Sequence, residues 1–200
     1  MIDHIATRGV SDLSLRELAA AVGTSHRMLI HHFGGREGLL VEVVREVEQR
    51  QREALADVVP DPTWPLATKM RAWWRHISDP KLWPNERLFF ELYGQALQGR
   101  PGTTPLLDGI VDAWLEPGAE ILAAHGIADP HPHARLGIAV TRGLLLDLLA
   151  THDKEGVDAA MEAHIALLER AVTREPEDET VRITPPSRKL AAPPVSGGHP

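Results

Sequence analysis

The stretch from Ser14 to Leu40 constrains this chain more than any other. It sets two short apolar faces on either side of one glycine-containing turn and starts a longer helix directly afterwards. Ser14 is placed to cap a helix, and Glu17, three residues on, completes a capping box. Leu15, Leu18, Ala19 and Val22 then fall at spacings of 0, 3, 4 and 7, which is one face of a helix. Ala19 is small enough to let a second helix cross closely. Gly23 stands where the turn needs a positive φ, which glycine reaches without strain. Ser25 is the natural N-cap of the next helix. Leu29 and Phe33, four residues apart, form its buried face and leave His26, Arg27, Met28, Ile30 and His31 facing outward. Gly34 and Gly35 end it, and Arg36 begins a third helix with Leu39, Leu40, Val43, Val44 and Val47 as its stripe.

The periodicity serves two readings, a plain helical hairpin in the core of an α-protein and a helix-turn-helix whose second helix enters a DNA major groove. The outward face favours the second. No acid stands between Thr24 and Arg36, and Met28 and Ile30 lie beside His and Arg, which suits a surface meeting phosphates and base edges.

The segment from Ala6 to Leu40 resembles the DNA-binding domain of the tetracycline-repressor (TetR) family. The residues that carry the resemblance are Arg8-Gly9, Ser14-Leu15-Arg16-Glu17-Leu18-Ala19, Val22-Gly23-Thr24-Ser25, Leu29 through Phe33, and Arg36-Glu37-Gly38-Leu39-Leu40. They agree with the family's pattern in register and without gaps. The resemblance implies that Ser14 and Arg16 touch phosphate and a base, and that Ser25, His26, Arg27 and Met28 reach base edges. Ile30 and His31 would lie along the groove wall, and Arg36 would bond a phosphate where the family usually has Lys. It departs from the family in two places. Ile30 stands where the family commonly has a Tyr whose hydroxyl bonds phosphate, and Met1 aligns inside the family's first helix, so that either the start lies upstream of Met1 or the first helix is expected to be a stub.

Charge limits the mode of binding. Residues 1–50 hold six Arg against seven Asp plus Glu, and the whole chain carries −7. A coat for nucleic acid in general would be basic. The expectation is site-specific binding that is favoured by low salt and uses Arg16, Arg27 and Arg36. No run of about 18 apolar residues suggests a membrane span, and no basic-then-apolar leader suggests a signal peptide. Cysteine is absent, which removes disulfides and thiol catalysis and is consistent with a cytoplasmic location.

Beyond the head, proline and glycine punctuate a series of helices: Arg36 to Val58, Pro65 to Ile77, Asn85 to Gln98, Pro105 to His125 with a kink or split at Pro117, His133 to Thr151, and Val157 to Arg174. Sustained strand-like alternation and internal repeats are both missing. The expected fold is all-α with about nine helices. Residues 1–45 form a helix-turn-helix DNA-binding domain, 46–174 a helical effector-binding and dimerisation domain, and 175–200 a disordered Pro-rich tail.

Eight of the nine aromatic residues lie between Trp64 and Trp114. Core packing accounts for most of them, and some are expected to line an apolar ligand cavity. The residues chosen for that cavity are Trp73, His76, Phe90, Glu91, Tyr93, Trp114 and Arg142, with Gln95 a further polar candidate. The last two helices carry more leucine than one partner needs, so Leu145, Leu148, Leu149, Ile165 and Leu168 are expected at a homodimer interface.

Catalytic signatures such as G-x-S-x-G, H-E-x-x-H, a Walker A loop or G-x-G-x-x-G do not occur. His125, His131 and His133 cluster without cysteine or an i, i+4 partner and read as surface-loop residues, so no metal site and no cofactor is expected. The expected protein is a TetR-like transcriptional regulator, a repressor released from a double-stranded DNA operator by a small-molecule effector that the sequence does not identify. The alternative is a ligand-binding helical dimer that has lost specific DNA binding.

Overall fold

The computed structural model describes residues 15–173 apart from Val22. Ser14, Val22, the segment before Leu15, the tail from Glu175 and the side chains of Leu15 and Leu18 lie outside the described residues. Within them the chain is helical throughout: α1 (Leu15–Ala21), α2 (His26–Phe33), α3 (Arg36–Val58), α4 (Leu66–Ile77), α5 (Trp83–Leu97), a 3-10 turn (Thr104–Leu107), α6 (Asp112–Ala124), α7 (Pro130–Thr151) and α8 (Lys154–Thr173).

The head follows from its caps. Gly23 takes φ +68°. Its N–H bonds Ala20 O at 3.2 Å while the Thr24 N–H bonds Ala19 O at 3.0 Å, the paired bonds of a Schellman stop. Two residues later Ser25 is extended, and its Oγ accepts the Met28 N–H at 3.2 Å, so α2 starts at once. Ala19 and Leu29 are buried together with Leu39, Leu40, Val43 and Val44 of α3. Gly38 allows the closest approach: a Cβ there would stand 1.8 Å from the Phe33 carbonyl oxygen at the end of α2.

The core of the head does not stop at the head. It continues through Val47 to Leu88, Phe89, Leu92 and Ala96 of α5 and to Leu106 and Ile110. The 23-residue α3 runs through it and is about 35 Å long. Two further clusters complete the body. One joins Trp74 and Ile77 of α4 to Leu145 and Leu148 of α7 and Met161 and Ile165 of α8. The other joins Leu66, Leu115, Leu122, Ile127 and Ala134.

Several helix bounds differ from expectation, α8 beginning at Lys154 rather than Val157, and three of the differences have a local reason. α5 and α7 begin earlier, at Trp83 and Pro130, because proline is accommodated in a first turn whose N–H groups have no helical partner. The expected Pro105–His125 helix is broken at residues 108–111, beside Gly109 at φ +71°, and Pro117 lies inside α6. A proline already has helical φ, and near a helix start it forfeits a single bond, here to Ala113. A glycine at positive φ ends the helix outright.

Four of the five expected dimer residues, all but Leu149, require correction. Leu145, Leu148, Ile165 and Leu168 are buried inside their own subunit, Leu148 and Ile165 at 0 % exposure, and Leu149 is half-buried. Leu145, Leu148 and Ile165 belong to the faces that α7 and α8 turn to α4 and to each other. The apolar side chains these helices leave outside are Leu136, Leu146 and Leu167, the last two 52 % and 63 % exposed.

Candidate DNA interface and ligand cavity

At the head, α2 displays the residue set expected of it. Ser25, His26, Arg27, Met28, Ile30 and His31 are all exposed, while Leu29 is buried beneath them. Arg16 is exposed on α1. Ser25 accepts the Met28 N–H and keeps its hydroxyl proton to donate. Arg36 is half-buried at the start of α3, with a guanidinium nitrogen 3.9 Å from Glu37. Glu37 also faces Arg100, 3.7 Å away in the loop after α5.

A cavity of about 210 Å³ lies in the body, between α3, α4, α5, α6 and α7. Trp73, Phe90, Trp114 and Arg142 line it as expected; His76, Glu91 and Tyr93 do not. His76 stacks against the Trp73 ring at 5.5 Å instead. Glu91 accepts from Gln95 Nε2 one turn along α5, at 3.2 Å. Tyr93 packs on Phe89 in the core shared with the head.

Sequence reasoning missed the polar wall: Glu48 and Gln51 of α3, Lys69 of α4, Glu86 of α5 and His133 of α7. A signal was present. Glu48, Gln51 and Leu55 continue the register of Val44 at spacings of 4, 3 and 4, and Glu86 shares a face with Phe89, Phe90 and Tyr93. A polar residue in register with a buried stripe is held at a wall. The histidine loop also differs from expectation. The ring nitrogens of His125 lie 2.7 Å from Ile121 O and 3.0 Å from Trp64 O, so this side chain ties the end of α6 to the loop before α4. Among the described residues no group of three or more His, Cys, Asp or Glu is placed to hold a metal ion.

Both glutamates are bonded through one oxygen. Glu48 Oε2 accepts Trp114 Nε1–H at 2.6 Å, and Glu86 Oε1 accepts Gln51 Nε2–H at 2.6 Å. Glu86 is only 5 % exposed. Burial pushes its pKa up to about 7; the Gln51 bond opposes that rise, Glu48 adds to it and Arg142 opposes it. Burial also raises Glu48, against the Trp114 bond and the charges of Arg142 and Arg52.

The head and the body each match a described family pattern. Residues 3–43 match "Bacterial regulatory proteins, tetR family" and residues 86–182 match "Tetracyclin repressor-like, C-terminal domain". No curated protein matches the chain in sequence. A transcriptional regulator from Rhodococcus sp. Rha1 has a similar fold, with TM-score 0.69 and 18% identity over 84% of this chain and 91% of its own. A second structure, a TetR-family transcriptional regulator from Rhodococcus sp., gives TM-score 0.66 at 21% identity over 86% of this chain and 94% of its own. Among the described residues no helix is long and apolar enough to cross a membrane. The two matched segments cover most of the chain between them: it belongs to the TetR family of bacterial regulatory proteins, with a helix-turn-helix DNA-binding domain at its N-terminus.

Proposed function

We propose that the protein is a homodimeric repressor that leaves its operator when a small molecule fills the body cavity. The observation that carries this reading is the double use of α3. Its first half, from Arg36, packs under the recognition helix, and its second half supplies Glu48, Gln51 and Leu55 to the cavity wall. A rigid helix displaced at one end moves at the other. A second contact runs parallel to it: after α5, Arg100 faces Glu37, and a Cβ at Gly102 would stand 3.0 Å from Glu37 Cβ. A ligand that prefers one setting of α3 shifts the spacing of two recognition helices by its differential affinity for the two states.

The DNA contacts proposed are those of Arg16, Ser25, His26, Arg27, Met28, Ile30, His31 and Arg36, with Ser14 at the preceding cap. Two heads must reach half-sites roughly 34–36 Å apart, which needs a two-fold dimer. The exposed stripe Leu136, Ala139, Gly143 and Leu146 on α7, with Ala160, Ala163 and Leu167 on α8, has the 3- and 4-residue spacing of a helix-bundle seam. Leu146→Glu with Leu167→Glu is expected to convert a dimer into single chains in sedimentation velocity. An unchanged sedimentation coefficient would move the interface elsewhere.

Fluorescence anisotropy on DNA from upstream of the protein's own gene, against a scrambled duplex and at two salt concentrations, tests the DNA reading. Arg27→Ala and Arg16→Ala are each expected to cost about 1–3 kcal/mol of specific binding if they contact a base edge in bidentate fashion. Unchanged affinity in both variants would remove them from the interface. Retained dimerisation and ligand binding with no sequence-dependent DNA binding would favour a ligand-binding dimer, a reading that Ile30 and the near-neutral first 50 residues support.

A further inference from the structure

We propose that the cavity takes an organic cation, a quaternary or protonated amine on a compact apolar body, seated by Glu48 and Glu86 and beside Trp73 and Trp114. This rests on the reading of the cavity as the effector site and names the chemistry it would select.

Two carboxylates line one largely apolar space, on different helices. Each is bonded by a neutral donor through one oxygen, from Trp114 Nε1 and Gln51 Nε2. Among the described residues neither makes an ion pair with a basic side chain within 4.0 Å. The charged and titratable groups around them are Arg52 on α3, Lys69 on α4, and His133 and Arg142 on α7. Arg52 and Arg142 act on the carboxylates through their charge without bonding them, and the hydrogen bonds of these two and of Lys69 go to other groups. Arg142 donates to Ile110 O at 2.8 Å and lies over Phe89 at 5.2 Å and Tyr93 at 5.7 Å. Arg52 donates to Gln49 Oε1 at 2.7 Å and lies over Trp114 at 5.7 Å. Lys69 Nζ donates to Pro62 O at 2.8 Å.

An anionic ligand drawn by Arg142 would meet both carboxylates in a largely apolar site. A neutral ligand without O–H or N–H donors would leave their free oxygens facing carbon. A cation offsets the cost of burying them, and the Trp73 and Trp114 rings, which pack on each other at 5.6 Å and line the cavity, add an aromatic wall that favours positive charge. The volume suits a body of about one ring with short substituents.

The test uses the full chain without DNA and three probes of similar size: benzyltrimethylammonium, its uncharged isostere neopentylbenzene, and phenylacetate. Binding is read by titration calorimetry. The cation is expected to bind at least about tenfold more tightly than either of the others. That preference should vanish in Glu48→Gln with Glu86→Gln, a pair that removes charge and keeps shape, with folding checked by far-UV circular dichroism. It should also shrink at about pH 5, where Glu86 holds its proton. No preference for the cation over the isostere, or a preference that survives the double substitution, overturns the proposal. Anisotropy on the operator is read separately. A cation that binds in the cavity yet leaves DNA affinity unchanged supports the ligand class and counts against release.

Discussion

Glu86→Gln is expected to stabilise the ligand-free protein above neutral pH by on the order of 3 kcal/mol, and to do little at about pH 5. In the unfolded chain this carboxyl ionises near its model value of 4.5, whereas in the fold burial holds it up to about 7. Between those values the unfolded state gives up its proton first. Stability attributable to Glu86 is therefore full below the lower value and falls as pH rises through the higher one. Glu48, raised in the same direction, adds to that fall. Glutamine cannot ionise, and its amide oxygen can still accept the Gln51 N–H. Urea unfolding of both proteins at about pH 5 and about pH 8 measures the difference. Equal stabilities at the higher pH would mean that Glu86 is hydrated in the fold. A less stable variant at that pH would mean that its charge is compensated within the cavity.

Gly38→Ala should have the largest effect on the head. The added methyl would stand 1.8 Å from the Phe33 carbonyl oxygen, which is backbone and cannot swing aside. α2 must lift off α3, opening the cluster of Ala19, Leu29, Leu39 and Leu40. Overpacking of this kind costs about 1–3 kcal/mol, and more when backbone has to move. Since the displaced element is the recognition helix, specific DNA affinity is expected to drop more than about tenfold while cavity-ligand binding is kept. Operator anisotropy and calorimetry with a cavity ligand, run on the same sample, separate the two effects. Wild-type DNA affinity in the variant would show that the close approach of α2 to α3 is relaxed in solution.

The helix-turn-helix was legible because its determinants are local. Gly23, Ser25 and Gly34 act on bonds within four residues of themselves, and Leu29 shows its buried side by spacing alone. The span of α3, Arg36 to Val58, was read for the same reason. The cavity was legible only in part. Trp73, Phe90 and Trp114 were found through the clustering of aromatics and Arg142 as one of several polar candidates, but Glu48 and Glu86 went unread because acids on a helix are usually solvated. Their depth depends on what covers them, and Trp114 comes from a helix 66 positions away in sequence.

Leu148 and Ile165 show the same division. Spacing marks them as apolar-face residues, yet two different partners can bury such a face. Here α4, α7 and α8 of the same chain do so, which leaves Leu146 and Leu167 outside. The sequence by itself determined the helical class, the caps around Gly23, Ser25 and Gly34 and the outward face of α2, because these rest on periodicity and on contacts a few residues apart; family membership rested on the motif resemblance. Tertiary structure alone decided that the head and body share one core along α3, that two carboxylates meet in an apolar cavity, and which leucines remain exposed. Each of these is a pairing of distant segments, and a helix's own pattern says that a face is buried without saying against what.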